Sequence, residues 1–353
     1  MVLMYLTGCL GAYAAFCMWA HQRILRTNQL TTRTQHFTDA SGCPKSVEYK
    51  AVSGDWGTAM VAREIFTDTV YMRYGVNVPA TGSPLVIDVG SHVGLFSMFV
   101  LEANPQAIVV AAEPIPEMCA LTKENTARYG QQVWVEQLGV SATSLNGAEF
   151  IVDPRVTAGA SMYEREITRP WKAVSLCTQL SVMGRDNVTS GILPAQPTLL
   201  LCWLLEKPVL QWVVVMLLTP ALFLFLIFLL VSPSQRRRVR CDCVSFGELL
   251  ERASSRMADV AMRRRIAEGP IALVKVDVEG AEWDVLQGIA ASEWKRIEQL
   301  VVEVHDVHDR VCRVVQFLKA KGFQQVHTAQ EEWASHDVLR IRSVFARRTE
   351  TTQ

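Results

Sequence analysis

The chain has 353 residues, and its 35 basic and 35 acidic side chains leave no net charge. This balance gives no support for partners that are recognised mainly by charge, such as nucleic acids or strongly acidic surfaces. Half of the residues are hydrophobic and the mean hydropathy is +0.16. Two apolar stretches, residues 1–20 and 209–231, account for this high value.

The first stretch predicts a membrane anchor. Residues 1–20 contain 17 apolar residues and no charge, and that length can span a bilayer. The positive charges of Arg23, Arg26 and Arg33 follow it, so we expect the rest of the chain to face the cytosol. A buried helix or a misassigned start codon would also explain the pattern.

The extension that follows, residues 21–83, is mixed in character. We expect a strand and turn over 49–60 and a helix over 64–74.

From residue 84 onward, apolar strands alternate with helical patterns. The expected order is strand 85–88, helix 93–103, strand 107–112, helix 116–129 and strand 133–138, then a small antiparallel excursion over 145–171. The alternation of strands and helices resumes with strand 271–277, a helix after 278, strand 299–304, helix 311–321 and a strand pair near 324–327 and 338–345. This alternation predicts an α/β fold with a mostly parallel twisted sheet and helices on both faces.

A glycine turn lies at the carboxyl end of the first of these strands. Asp88, Gly90 and Gly94 form a D-x-G-x-x-x-G pattern, which fits a dinucleotide fingerprint poorly. It fits the turn that holds S-adenosylmethionine in class I methyltransferases. Glu113 and Pro114 end the next strand, and a carboxylate there can accept both ribose hydroxyls of an adenosyl group. An ordinary strand–helix–strand unit whose turn contains glycines is the alternative.

Two blocks of sequence together resemble one family. The first is residues 85–97 (LVIDVGSHVGLFS) with residues 112–117 (AEPIPE), and the second is residues 273–282 (LVKVDVEGAE) with Val285, Leu286 and Gly288. Both resemble the FkbM-type S-adenosylmethionine-dependent methyltransferases, over roughly residues 84–170 and 236–325. The resemblance implies a class I Rossmann-like fold and methyl transfer to an oxygen, often a hydroxyl on a sugar or natural product.

The resemblance also implies cofactor contacts for Asp88, Gly90, Gly94 and Glu113. His92 departs from the family pattern, which more often has Asn or another small polar residue at that position. Its imidazole can still donate a hydrogen bond to the cofactor.

Three residues are candidates for catalysis, because they follow strands that end at the same edge of the sheet as the glycine turn. We expect Asp277 or His305 to take the proton of the acceptor, and Glu279 to orient the acceptor or a metal ion. His305 as a surface residue is the alternative to its role as base. Lys275 and Glu282 have a structural interpretation as an ion pair or a helix N-terminal carboxylate.

Residues 174–235 form a hydrophobic insertion between the third and fourth strands, so the methyltransferase domain is expected to comprise 84–173 and 236–349. Within it, 209–231 has 20 apolar residues out of 23 and no charge. A single membrane crossing there would separate strands of one sheet. A re-entrant hairpin, a loop on the membrane surface and a translated intron all remain open, and excising 62 residues keeps the reading frame.

The expected partners are a small-molecule or glycan acceptor and a membrane, through 1–20 and, if expressed, 209–231. A membrane-tethered binding module that keeps the fold without turnover is the competing function. No nucleic-acid motif and no metal site are predicted, and Cys241 and Cys243 are too close for a usual zinc pair. Sequence does not indicate an oligomeric state.

Overall fold

A computed structural model of the chain describes residues 30–39, 42–53, 55, 57–153, 156–162, 237–330 and 341–349. Its strands are β1 (Leu30–Thr38), β2 (Pro44–Val52), β3 (Leu85–Val89), β4 (Ile108–Ala112), β5 (Val133–Glu136), β6 (Gly139–Val140), β7 (Leu145–Asp153), β8 (Val156–Ser161), β9 (Arg237–Val244), β10 (Ile271–Val276), β11 (Gln299–His305), β12 (Gln325–Ala329) and β13 (Ile341–Arg347). Its α-helices are α1 (Gly57–Phe66), α2 (Leu95–Ala103), α3 (Pro116–Thr126), α4 (Phe246–Arg256), α5 (Val260–Glu268), α6 (Glu282–Gln287), α7 (Ala291–Trp294) and α8 (Arg310–Ala320).

A seven-stranded sheet in the order β12-β13-β11-β10-β3-β4-β5 forms the centre of the fold. Neighbouring strands from β11 to β5 run parallel, whereas β13 is antiparallel to both β11 and β12. Every residue of β3, β4 and β10 is buried, as expected for strands covered on both faces. The predicted α/β, Rossmann-like, mostly parallel sheet is confirmed.

Hydrophobic cores cover both faces of this sheet. Alternate residues of β3 enter different cores: Ile87 packs with α4 and α6, and Val86 packs with α2 and the N-terminal segment. The reversal of strand order between β10 and β3 leaves a crevice at the carboxyl ends of the strands. Ligands bind at this position in open α/β sheets.

The N-terminal segment packs onto the second core and differs from expectation. β1 and β2 form an antiparallel hairpin, and α1 runs over Gly57–Phe66 rather than over 64–74. Phe37 and Phe66 lie with ring centroids 5.0 Å apart, and Phe66 also meets Phe99 of α2. Burial of these aromatic rings against α2 fixes the segment next to the crevice.

A second sheet in the order β6-β9-β7-β8 extends from the end of β5. The predicted antiparallel excursion is present as β7 and β8, and β9 pairs with the other edge of β7. Ile151 of β7 lies opposite Ser161 on one side and opposite Arg238 on the other. The chain therefore leaves and re-enters this sheet at neighbouring positions.

The remaining differences from expectation are at element ends. The helix expected over 116–129 ends at Thr126 and continues as a 3-10 helix over Ala127–Gln132, and the helix expected from 278 begins at Glu282. Among the described residues, none of the helices combines the length and apolar character that a bilayer crossing requires. The two stretches with predicted membrane contact, 1–20 and 209–231, lie outside the described residues, as does the whole insertion 174–235.

Candidate active site

The glycine turn connects β3 to α2 at the crevice. Gly90 has φ +80°, and a Cβ at this position would lie 1.8 Å from the carbonyl oxygen of Asp277. Gly94 has φ +86°, and a Cβ there would lie 3.0 Å from the Thr122 side chain. Glycine at position 90 therefore lets the glycine turn and the end of β10 approach each other closely.

Glu113 lies directly after β4 and contacts the backbone of the glycine turn. Its Oε2 accepts the backbone N–H of His92 at 2.8 Å and its Oε1 accepts that of Ile115 at 2.9 Å. Burial raises the pKa of Glu113 to about 7, although these two hydrogen bonds oppose the shift. Each carboxylate oxygen keeps a second lone pair, so the group can still accept two hydroxyls.

Lys275 joins the two halves of the site. It lies directly opposite Asp88 in the parallel pairing of β10 with β3. Its Nζ lies 3.3 Å from Asp88 Oδ1 and 3.5 Å from Asp277 Oδ2, and it donates to the Gly90 carbonyl at 2.6 Å. Burial alone would lower the pKa of Lys275, but the two carboxylates outweigh it and raise the pKa. The predicted structural ion pair of Lys275 thus lies within the site itself.

Tyr71, after α1, supplies a group that the sequence did not indicate. Its hydroxyl donates to Asp277 Oδ2 at 2.9 Å, and its ring packs edge-on against Phe96 at 5.5 Å. Lys275 Nζ lies 5.6 Å from the centre of the same ring. The two residues of the hydrogen bond are 206 positions apart, so no local pattern could have revealed it.

His305 lies at the end of β11 between two carboxylates. Its Nδ1 is 2.7 Å from Glu282 Oε1, and its Nε2 is 3.0 Å from Glu279 Oε2. Glu282 is fully buried and also pairs with Arg310 at 2.9 Å, which agrees with its predicted structural role. His305 is itself buried, so the alternative of a surface residue is wrong.

A metal-binding geometry is also present here. Glu279, Glu303 and His305 offer ligand atoms that all lie within 4.8 Å of one another. Carboxylate and imidazole ligands of this kind can hold a divalent cation. Burial, together with the charge of Asp277, raises the pKa of Glu303 well above its ordinary value.

One cavity collects most of the predicted residues. Its wall includes Gly90, His92, Glu113 and Pro114 from the cofactor side, and Asp277 and Glu279 from the catalytic side. Asp88, Gly94 and His305 are not part of that wall. Asp88 is fully buried behind the turn, where its Oδ2 accepts the Ser97 hydroxyl at 2.7 Å. Its geometry is that of a group that holds the turn in place.

These residues fit an adenosyl cofactor. The turn presents its backbone at the start of α2, and the buried Glu113 carboxylate has the two acceptor oxygens that a ribose needs. Hydroxyl donors would stabilise the charged form of a carboxylate whose burial disfavours that charge. The donor and acceptor chemistry of the cavity therefore matches S-adenosylmethionine.

Comparison with known proteins agrees with this geometry. A family model described as the methyltransferase FkbM domain matches residues 246–325. The chain is 28% identical over 288 residues to the 31-O-demethyl-FK506 methyltransferase FkbM of Streptomyces tacrolimicus, which covers 81% of this chain and 88% of that protein. It is 22% identical over 289 residues to Methyltransferase 1 of Beauveria bassiana, covering 82% and 89%.

Among solved structures, the chain is similar to a SAM-dependent O-methyltransferase from Thermotoga maritima. The sequences are 9% identical, the TM-score is 0.36, and the alignment covers 90% of this chain and 79% of that one. The family match and the sequence relatives identify the chain as a methyltransferase with S-adenosylmethionine as its cofactor, and over most of its length it is similar to the FkbM enzyme. Its sheet is that of a Rossmann-like fold.

Proposed function

We propose that the protein transfers the methyl group of S-adenosylmethionine to a hydroxyl oxygen on a sugar, a glycan or a small metabolite. The observation that carries this proposal is the shared cavity. Glu113 and the glycine turn form one wall of it, and Asp277 and Glu279 form another. A donor and an acceptor bound there would meet within one cavity, which is the main requirement of a direct transfer.

The chemistry asks little more of the protein than alignment and proton removal. When bound, S-adenosylmethionine supplies an already activated methyl group. Asp277 is the proposed proton acceptor, because its partly exposed carboxylate lines the cavity. Tyr71 and Lys275 both contact its Oδ2 and so fix its direction. As its new bond to the methyl carbon forms, the acceptor oxygen would give its proton to Asp277, while the bond from that carbon to the donor sulfur breaks and adenosylhomocysteine leaves.

Glu279 is proposed to orient the acceptor. Its carboxylate contacts His305, whose other ring nitrogen contacts the buried Glu282. Because both nitrogens of His305 face carboxylates, we propose that it positions Glu279 and leaves proton removal to Asp277. The relative named FkbM is described as an O-methyltransferase by its printed name, which supports an oxygen acceptor.

Methyl transfer from labelled S-adenosylmethionine to a panel of hydroxylated sugars, glycans and metabolites tests the proposal on the full chain. With the acceptor found, we expect Asp277→Asn to lower kcat at least about 100-fold while adenosylhomocysteine still binds. Asp68→Asn is the matched control, since Asp68 is an exposed carboxylate paired only with Arg63 at 3.5 Å among the described contacts. Its kcat should stay unchanged.

Two results would contradict the proposal. Binding of adenosylhomocysteine without transfer to any acceptor would favour the binding module. Full activity of Asp277→Asn would remove this residue as proton acceptor. Adding a chelator in the same assay distinguishes a simple acceptor-orienting role of Glu279 from one that acts through a metal ion.

The site is proposed to work at the cytosolic side of a membrane, held there by residues 1–20. The arginines after that stretch support this orientation. Protease accessibility of the full chain in sealed membrane vesicles would test it.

A further inference from the structure

Three polar groups from distant parts of the chain meet at the wall of the cavity, which His92 and Thr157 line and Asp55 does not. Asp55 precedes α1, His92 lies in the glycine turn and Thr157 lies on β8. His92 Nε2 is 2.7 Å from the Thr157 hydroxyl, which in turn donates to Asp55 Oδ2. Asp55 and Thr157 are buried, so water does not compete for these hydrogen bonds.

The hydrogens in this chain can be assigned from its contacts. Asp55 is surrounded by donors: its Oδ1 accepts the Gly57 backbone N–H at 3.0 Å, and its Oδ2 accepts the hydroxyls of Thr58 at 2.7 Å and of Thr157. The Thr157 hydroxyl has one hydrogen and uses it on Asp55. Its oxygen can then only accept from His92, so the hydrogen of the imidazole lies on Nε2.

The other nitrogen of His92 is left with a lone pair. Burial lowers the pKa of His92 below its ordinary value, so the ring is neutral near pH 7. Its Nδ1 is buried and has no hydrogen-bond partner among the described residues. A buried acceptor of this kind is costly unless a ligand supplies the missing donor.

We propose that Asp55 and Thr157 lock His92 as the Nε2–H tautomer, so that its Nδ1 accepts a hydrogen bond from an O–H or N–H group of the adenosyl cofactor. The inference rests on the proposed use of this cavity. His92 lines the cavity, and its backbone N–H already contacts Glu113. Asp55 is a positioning residue in this arrangement, because it is not part of the cavity wall and acts on the cofactor through Thr157 and His92. Thr157 lines the cavity and links the two.

The substitution Asp55→Asn tests whether Asp55 and Thr157 fix the tautomer of His92. Asparagine keeps an oxygen for the Gly57 N–H, so the start of α1 is preserved. Its amide NH2 would then face both threonine hydroxyls and donate to them. The Thr157 hydrogen would be free to point at His92 Nε2, which inverts the tautomer and replaces the acceptor at Nδ1 by a donor.

Two measurements on the full chain read out this inversion. Nitrogen-15 NMR of histidine-labelled protein distinguishes the protonated from the unprotonated ring nitrogen. We expect Nε2–H in the unsubstituted protein and Nδ1–H in Asp55→Asn. Calorimetry with adenosylhomocysteine should show an affinity at least about tenfold lower for Asp55→Asn.

Thr58→Val is the matched control. It removes the other hydroxyl on the same Asp55 oxygen and leaves the contact between Thr157 and His92 in place. Tautomer and affinity should both match the unsubstituted protein. Should Asp55→Asn fail to fold in a thermal melt, Thr157→Val breaks the link at its centre and should lower the affinity in the same way.

A His92 ring with its hydrogen on Nδ1, or on both nitrogens, in the unsubstituted protein would overturn the inference. Unchanged affinity in both Asp55→Asn and Thr157→Val, the relay variants, would overturn it as well. These results are separate from failure of the proposed function. If the unsubstituted protein does not bind adenosylhomocysteine, both proposals fail; if it binds and the relay variants bind equally well, only the inference fails.

Discussion

Glu113 makes the affinity for the cofactor depend on pH. Its pKa is raised to about 7 by burial, against an ordinary value of 4.5. Only the ionised carboxylate can accept both ribose hydroxyls, because the protonated form has one oxygen occupied by its own hydrogen. Adenosylhomocysteine should therefore bind to the ionised form and compete with a proton.

The size of the effect follows from this pKa. With a pKa near 7, about one carboxyl in ten is ionised at pH 6 and about nine in ten at pH 8. The dissociation constant should then be about tenfold higher at pH 6 than at pH 8. Isothermal titration calorimetry measures the dissociation constant across this range. The observed binding enthalpy should also change with the ionisation enthalpy of the buffer, because a proton is released when the ligand binds.

The same proton affects stability without ligand. The folded state holds the proton up to about pH 7, whereas the unfolded chain loses it near 4.5. The folded state thus binds more protons between these values, and its free energy of unfolding should fall as pH rises through them. The difference between the pKa values of about 7 in the folded state and 4.5 in the unfolded chain limits this loss of unfolding free energy to about 3.4 kcal/mol.

Glu113→Gln is the control, because it retains the size of the side chain and cannot titrate. It should bind adenosylhomocysteine more weakly and with little change between pH 6 and pH 8. A dissociation constant of the unsubstituted protein that stays constant over this range would refute the reasoning. So would an equal pH dependence in Glu113→Gln, which would assign the effect to another group such as Glu303.

Three further predictions concern the frame of the site. Gly90→Ala should abolish adenosylhomocysteine binding in calorimetry, because its Cβ would lie 1.8 Å from the Asp277 carbonyl oxygen. Lys275→Met should lower the free energy of unfolding in urea by about 3–5 kcal/mol, because it leaves Asp88 buried without its cation. Deletion of 174–235 should leave a folded protein that binds adenosylhomocysteine, judged by thermal melting and calorimetry.

Each of these has a control or a contrary result. Gly82→Ala carries the same kind of backbone strain, with φ +73°, but meets no atom within 4 Å, so it should spare binding. Lys295→Met replaces an exposed lysine and should change stability little. Unchanged stability of Lys275→Met would show that its ion pairs are not needed.

The deletion is expected to fold because of how the second sheet is built. Ser161 and Arg238 lie on opposite sides of Ile151, so they are about two strand spacings, or roughly 10 Å, apart. The residues that would remain between β8 and β9 can span several times that distance. Aggregation of the deletion variant would instead show that the insertion is needed for folding.

The sequence by itself determined the central sheet and the positions of its ligand-binding turn. Strands β3, β4 and β10 are continuous apolar runs because they are covered on both faces, and such runs are visible without neighbours. Gly90 and Glu113 were predictable for a similar reason, since each follows directly from the end of one strand. These features depend on local backbone geometry.

Only the tertiary structure decided which side chains share the site. Tyr71 reaches Asp277 from an N-terminal segment whose helix was expected several residues later, and His305 was expected to be either a base or a surface residue. Thr157 reaches His92 across 65 positions. Such contacts depend on how separate elements pack together, and neither composition nor periodicity along the chain records that packing.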